Sequence, residues 1–253
     1  MSSTPPEASA PLKSVFTTEA ATTVGFGTTK RKVEQTVYVF VEEQPDGMMA
    51  CRALNGNFVP SGKPRLVSRE ELLRRFTPAP NVYLERVLPA LRGLERAVDE
   101  ADRLRESGQG FTAEFEYKNA LRIDENHVRA SFGLGLTYLE RGDTDKAVLV
   151  FRKISRLEGA FTPEFKHLFN EFGIQLRKNG MLIQAVGHYA KALRLTRTDE
   201  HLHYNLARTL YDKGKLRAAR RILKKALLLR PDFPEARAFL KSLGRHDAKE
   251  SAP

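Results

Sequence analysis

The densest run of chemically capable side chains in the 253-residue sequence is cationic. Arg217, Arg220, Arg221, Lys224 and Lys225 recur at spacings of three and four. On a helix, that spacing sets Arg217, Arg221 and Lys224 or Lys225 along one face, opposite Ile222 and Leu223. Such a face is either a solvated helix surface whose late cations suit the negative end of the helix dipole, or an electrostatic footprint for phosphate or an acidic protein. No aromatic residue is interleaved for base stacking. Nucleic acid or another polyanion on this patch is therefore the alternative reading of function, behind the reading developed below.

The other reactive residue types assemble no catalytic unit. There is no P-loop, dinucleotide fingerprint or HExxH run. His201 and His203 are two apart, so on a helix they point to different faces and share no metal ion. His127, His167 and His188 stand singly and are expected to face solvent or to be hydrogen-bonded. Cys51 is the only cysteine, which excludes an internal disulfide and a thiolate zinc site. It sits in an apolar strand candidate, where a small buried residue is the plain reading. The expectation is no catalytic residue, no metal, no cofactor and no enzymatic activity.

The elements that carry the basic run are a helical hairpin, Glu200 to Phe233. Leu202, Leu206 and Leu210 stripe its first helix; Ala219, Ile222, Leu223 and Ala226 stripe its second. Lys213-Gly214-Lys215 turns the chain between them. Pro231 ends the second helix, since it lacks an amide hydrogen and restricts the residue before it. One hairpin cannot bury both apolar faces alone, so neighbours are required. Ala207, Gly214, Ala219, Leu223, Ala226 and Pro231 recur in phase upstream. Around Gly180 stand Phe172, Gly173, Leu176, Ala185, Tyr189 and Ala192, with Arg197 in the Pro place. Around Gly142 stand Leu134, Gly135, Tyr138, Ala147, Phe151 and Ile154. Gly108 is followed by Ala113, Tyr117 and Ala120. The steps are 34, 38 and 34 residues.

This pattern resembles the tetratricopeptide repeat (TPR), a 34-residue helical hairpin that stacks into arrays. The resemblance implies a mainly α fold of about four units (about 94–127, 128–161, 166–199 and 200–233) with an end helix at 234–244, together spanning 81–244. Glu100 stands where the motif wants a large apolar residue, so the first unit is degenerate or a cap. The long step implies four extra residues near Thr162-Pro163-Glu164-Phe165. Residues 245–253 read as a disordered tail.

In this family the first helix of each pair lines a concave groove that takes an extended peptide or a helix of another protein. Projection of the helices gives Arg129, Phe132, Leu136 and Leu139 as inward positions of the second unit. The third contributes His167, Asn170, Ile174, Arg177 and Lys178, and the fourth His201, Tyr204, Arg208 and Tyr211. The resemblance thus implies a scaffold or adaptor whose partner is a protein segment bearing apolar and acidic residues. Phe132 and Leu136 stand where the family's two-carboxylate clamp needs Lys and Asn, so clamp-type recognition of a chain end is not implied, although Asn205 matches one Asn place.

Residues 1–32 are Ser-, Thr-, Ala- and Pro-rich and without period, and read as a disordered arm. Residues 33–76 read as a small α+β module: Val37, Val39 and Val41 alternate with Tyr38 and Phe40, Met48 to Leu54 and Asn57 to Pro60 are further strands, and Arg65-Leu66-Val67 follows a turn at Ser61-Gly62-Lys63-Pro64. Pro45-Asp46-Gly47 and Asn55-Gly56 are turn signals. Ser68, with Glu71 three residues on, caps a short helix. One apolar face of the sheet should pack on that helix, and the other on the repeat array or on a second copy of the chain. Thr77-Pro78-Ala79-Pro80 reads as a linker. Asn81 to Ser107 reads as one helix, or two broken at Pro89, with a core stripe of Leu84, Leu88, Leu91, Leu94, Val98, Ala101 and Leu104.

A net charge of +11 is compatible with an acidic partner, nucleic acid or an anionic membrane. No stretch reaches the 18 or so apolar residues of a membrane-spanning helix. The first residues carry no basic-then-apolar export pattern, so the expected location is cytoplasmic.

Overall fold

The computed structural model describes residues 11–24, 31–157, 160 and 162–250. Residues 1–10 and 25–30 of the expected arm, and 251–253 of the expected tail, lie outside the described residues. The chain divides into two units, Met1–Arg96 and Ala97–Pro253.

The first unit is an antiparallel sheet of five strands in the order β4-β3-β2-β1-β5. The strands are β1 (Lys13–Val24), β2 (Arg31–Glu43), β3 (Met49–Leu54), β4 (Pro60–Val67) and β5 (Thr77–Pro78). β1 corrects the reading of residues 1–32 as unstructured. Its Ser, Thr and Ala residues show no alternation because little local signal is needed: every residue from Lys13 to Val24 pairs with β2, and cross-strand pairing carries the strand. The expected turn at Ser61 to Pro64 is instead an irregularity inside β4. Gly62 adopts φ +78 and the register with β3 shifts between Cys51 and Ala53, as at a bulge. The stretch Asn57 to Val59 is not strand. Asn55 Oδ1 accepts from the amides of Asn57 and Val59, and Phe58, at φ +59, makes the turn.

Both sheet faces are covered within this unit. Phe16 lies opposite Val39 and Cys51 opposite Val41. With Met49 and Val67 they bury against Leu72 of α1 (Arg69–Arg75), whose first turn is capped by Ser68 Oγ accepting from the Glu71 amide. On the other face, Val15 and Phe40 bury with Val87, and Tyr83 and Leu91 pack against them. The covering segment is α2 (Pro80–Val82), a π-helical turn (Tyr83–Val87) and the start of α3 (Leu88–Glu106). Pro89 does not break this helix. The Leu88 amide donates to the Tyr83 carbonyl, five residues back, and the wide turn makes room for a residue without an N–H. The wider turn also shifts the phase, so Tyr83 and Val87 face the sheet while Leu84 is exposed.

The second unit is a stack of helical hairpins. After the end of α3 come α4 (Gly110–Ile123), α5 (Val128–Glu140), α6 (Thr144–Ile154), α7 (Lys166–Lys178), α8 (Leu182–Leu195), α9 (Glu200–Asp212), α10 (Leu216–Leu229) and α11 (Pro234–Glu250). Four turns share one device. Gly108, Gly142, Gly180 and Gly214 have φ between +71 and +80, a region closed to most side chains. Each is followed by an amide that reaches five residues back, as in Asp143 N to Tyr138 O at 2.8 Å and Lys215 N to Leu210 O at 2.8 Å. The extra residues of the long step form a 3-10 turn, Pro163–Phe165. α11 continues to Glu250, past the expected end at Gly244 and into the expected tail.

α5 packs on α7 and α7 on α9, forming an inner row. The second helices, α6, α8 and α10, lie behind that row, each against its own first helix. Between the rows run Ala147, Ala185 and Ala219 with Phe172, Leu176, Tyr189 and Leu223, all fully buried.

Candidate functional site

The inner row is the surface to which the sequence assigns partner binding, and the structure sorts its residues into three groups. Phe132 and Leu136 are fully buried, which corrects their placement on the groove. Phe132 stands edge-on to Phe172 at 5.7 Å, so it fills the seam between α5 and α7. Every residue from Ala130 to Leu139 is buried. α5 packs against α4, α6 and α7, and Leu139 is buried too.

A second group is consumed by ion pairs and a hydrogen bond within the stack. Arg129 reaches Asp99 at 2.7 Å and Asp102 at 2.7 Å. Arg177 holds Asp212 at 2.7 Å, joining α7 to α9. Asn170 accepts from Asn205 Nδ2 at 2.8 Å along the same seam. These contacts join neighbouring inner helices and set their spacing.

The third group is accessible and lies towards the end of the row. Tyr204, Arg208 and Tyr211 of α9 face Phe239 of α11 across a cleft of about 560 Å³, which Arg177, Asp212 and Glu235 also line. Tyr211 meets Phe239 edge-on at 5.4 Å, and Tyr204 lies 6.2 Å from the same ring. The Arg208 guanidinium sits 5.8 Å from the Tyr204 ring centre, and among the described residues no carboxylate is placed to pair with it. Spacing explains the grouping: Tyr204, Arg208 and Tyr211 follow one another by four and three, so they share a helix face. The cleft therefore combines a rigid aromatic floor with one exposed bidentate cation. His167 and Lys178 are exposed and Ile174 is half-buried. His201 stands edge-on to Phe233 at 5.1 Å.

Sequence reasoning missed Phe239 and Glu235, because α11 read as an end helix that merely solvates the stack. Their signal was present: Phe239 is a large apolar residue on a helix that follows Pro231.

The basic run also divides. Arg220 donates to the Leu243 carbonyl at 3.0 Å and ties α10 to α11. Arg217, Arg221, Lys224 and Lys225 are exposed on the opposite face from buried Ala219, Leu223 and Ala226.

Among the described residues there is no group of three or more His, Cys, Asp or Glu placed to hold a metal ion, and no helix is long and apolar enough to cross a membrane. His188 is buried among Phe132, Phe172 and Tyr189, and its Nε2 donates to the Phe169 carbonyl at 2.5 Å.

A family model described as "Tetratricopeptide repeat" matches residues 176–251, and a second of the same description matches residues 95–157. The "TPR repeat-containing protein PA4299" of Pseudomonas aeruginosa is 32% identical over 124 residues, 49% of this chain and 49% of that protein. The chain thus spans about half the length of this curated relative. Among solved structures, "MamA 41-end from Desulfovibrio magneticus RS-1" superposes with a TM-score of 0.49 at 19% identity, covering 61% of this chain and 85% of that one. Pseudomonas aeruginosa pilF superposes with a TM-score of 0.47 at 18% identity, covering 62% and 72%.

Proposed function

The chain belongs to the tetratricopeptide-repeat family, and from that premise we propose that it is a scaffold whose inner row binds a segment of another protein at the α9–α11 cleft. The observation that carries this reading is Arg208, a guanidinium with no carboxylate partner among the described residues, set beside Tyr204 above an aromatic floor. Arg forms paired hydrogen bonds with carboxylates, and Tyr and Phe offer rigid apolar area at low entropic cost. The fitting ligand is a peptide or helix with an acidic residue next to an aromatic or aliphatic one. Asp212 and Glu235 on the rim disfavour purely acidic segments, because like charges oppose each other at a partly desolvated site. A cleft framed by helices that Arg177–Asp212 and Asn170–Asn205 already hold in place lowers the ordering cost of binding.

A displayed random-peptide selection against the full chain, followed by calorimetry on the winners, tests the reading. The enriched peptides should carry an acidic residue adjoining an apolar one. They should bind Arg208→Glu and Tyr211→Ala at least about tenfold more weakly, yet bind an Arg217→Glu/Arg221→Glu chain unchanged. Winners that bind Arg208→Glu and Tyr211→Ala as tightly as the parent overturn the cleft as the site.

A further inference from the structure

The outer row, opposite the cleft, is unlike the inner row in both charge and apolarity. α8 and α10 contain no Asp or Glu, and α6 contains only Asp145. Arg152, Lys153, Arg217, Arg221 and Lys224 are exposed, and among the described residues none has a carboxylate within ion-pair distance. Lys191 has its ammonium held below the ordinary lysine range, first by burial and then by the neighbouring Arg194 charge. The inner helices α5, α7 and α9 have no large hydrophobic residue exposed. The outer helices carry Leu149 at 63%, Ile183 at 72%, Leu195 at 64% and Leu228 at 81% exposed.

Two places on this side repeat from unit to unit. Lys153, Lys191 and Lys225 occupy one place in successive units, and Leu157, Leu195 and Leu229 occupy another. A lysine place thus recurs along α6, α8 and α10, with a leucine four residues on at or just past the end of each helix. α6, α8 and α10 together hold ten Lys and Arg residues against one carboxylate.

We propose that the outer row of α6, α8 and α10 is a docking surface for an anionic lipid bilayer. Two features choose the occupant. A one-signed field attracts a surface of phosphate-bearing headgroups. Exposed aliphatic ends standing among the cations gain by entering the headgroup–acyl boundary, which a nucleic-acid backbone does not offer. The same helices expose no aromatic side chain for stacking on bases. Lysine and arginine stems also lie along apolar surface while their heads stay in water, which suits the interface. This surface is independent of the α9–α11 cleft, so a scaffold held this way keeps its binding row free.

Co-sedimentation of the full chain with phosphatidylglycerol–phosphatidylcholine vesicles, against pure phosphatidylcholine vesicles, is the test. Binding is expected only to the anionic vesicles and should decline steeply as salt shortens the screening length from about 10 Å. Arg217→Glu/Arg221→Glu/Lys224→Glu should reduce partitioning by about a hundredfold or more. Leu195→Gln/Leu228→Gln, with its charge intact, should reduce it by about tenfold. Arg208→Glu should bind vesicles as the parent does, which separates this surface from the cleft. No sedimentation with anionic vesicles at low salt overturns the proposal. So does duplex DNA bound as tightly as the vesicles together with an unaffected leucine variant, since that pair of results assigns the row to polyanions in general.

Discussion

Lys166 Nζ lies 2.6 Å from Asp199 Oδ2, while Asp199 Oδ1 accepts from the Leu202 amide at 3.0 Å. One carboxylate thus caps α9 and anchors the start of α7. Asp199 is buried, whereas the Lys166 side chain is 48% exposed, so solvent screens the pair and the cap is the larger contribution. Asp199→Ala should cost about 2 kcal/mol, near the upper end for a lost cap. Asp199→Asn keeps the cap and should cost about 0.5 kcal/mol. Urea unfolding of the two variants checks the order. Equal losses would make the ion pair, not the cap, the main contribution.

Two glycines should respond in opposite directions. A Cβ on Gly133 would stand 2.3 Å from the Tyr117 ring, whereas a Cβ on Gly187 would meet nothing within 4 Å. Tyr117 cannot retreat easily: it is fully buried and its hydroxyl donates to Asp102. Gly133→Ala should therefore destabilise by about 3 kcal/mol through overpacking. Gly187→Ala, in the open middle of α8, should stabilise by about 0.5 kcal/mol, because alanine loses less backbone entropy on folding into a helix. Thermal melting of the two variants measures both signs.

The repeat was legible because its device is local. A glycine at positive φ every 34 or 38 residues, with small residues at fixed offsets, leaves a mark that needs no tertiary information. The strand β1 was not legible, since Val15 and Phe16 are adjacent and bury on opposite faces, and the pairing partner lies in β2. Phe132 and Leu136 were placed on the groove by projecting a single helix. Which side of α5 meets α7 depends on residues 38 positions on, and no periodicity within α5 encodes it. Arg177 read as a free groove cation for the same reason: Asp212, its partner, lies one whole repeat away. Arg208 is exposed and has no such partner among the described residues.

That contrast between two arginines is measurable in stability as well as in binding. The Arg177 side chain is 15% exposed and bonded to Asp212, whose own side chain is 34% exposed. Arg177→Glu sets two carboxylates together in a partly desolvated seam and should cost about 2 kcal/mol. Arg208→Glu changes a solvated surface residue and should stay within about 0.5 kcal/mol of the parent. If chemical unfolding shows equal losses, Arg208 has a structural role and its use as a binding probe fails.

Acid should weaken the fold in two separable stages. Burial lowers the His188 imidazole from 6.5 to about 4, against the opposing Phe169 carbonyl bond and with help from the Lys191 charge. Between those values the unfolded chain binds a proton that the folded chain refuses. Stability from this group is therefore full above pH 6.5 and falls as pH drops towards 4, by on the order of 3 kcal/mol. Glu114 supplies the next stage. Burial alone would raise its carboxyl, but hydrogen bonds from Lys118, Arg141 and Tyr138 bring it from 4.5 down to about 2. Its contribution is present above pH 4.5 and is lost as pH falls towards 2. Urea midpoints across a pH series should show both limbs. His188→Phe should flatten the limb between pH 6.5 and 4, at a neutral-pH cost of about 1–2 kcal/mol for the stranded Phe169 carbonyl. Glu114→Gln should leave that limb intact, flatten the one below pH 4.5, and cost about 1–2 kcal/mol at neutral pH for weakened charge-assisted bonds. An upper limb that persists in His188→Phe would assign the first stage to other groups.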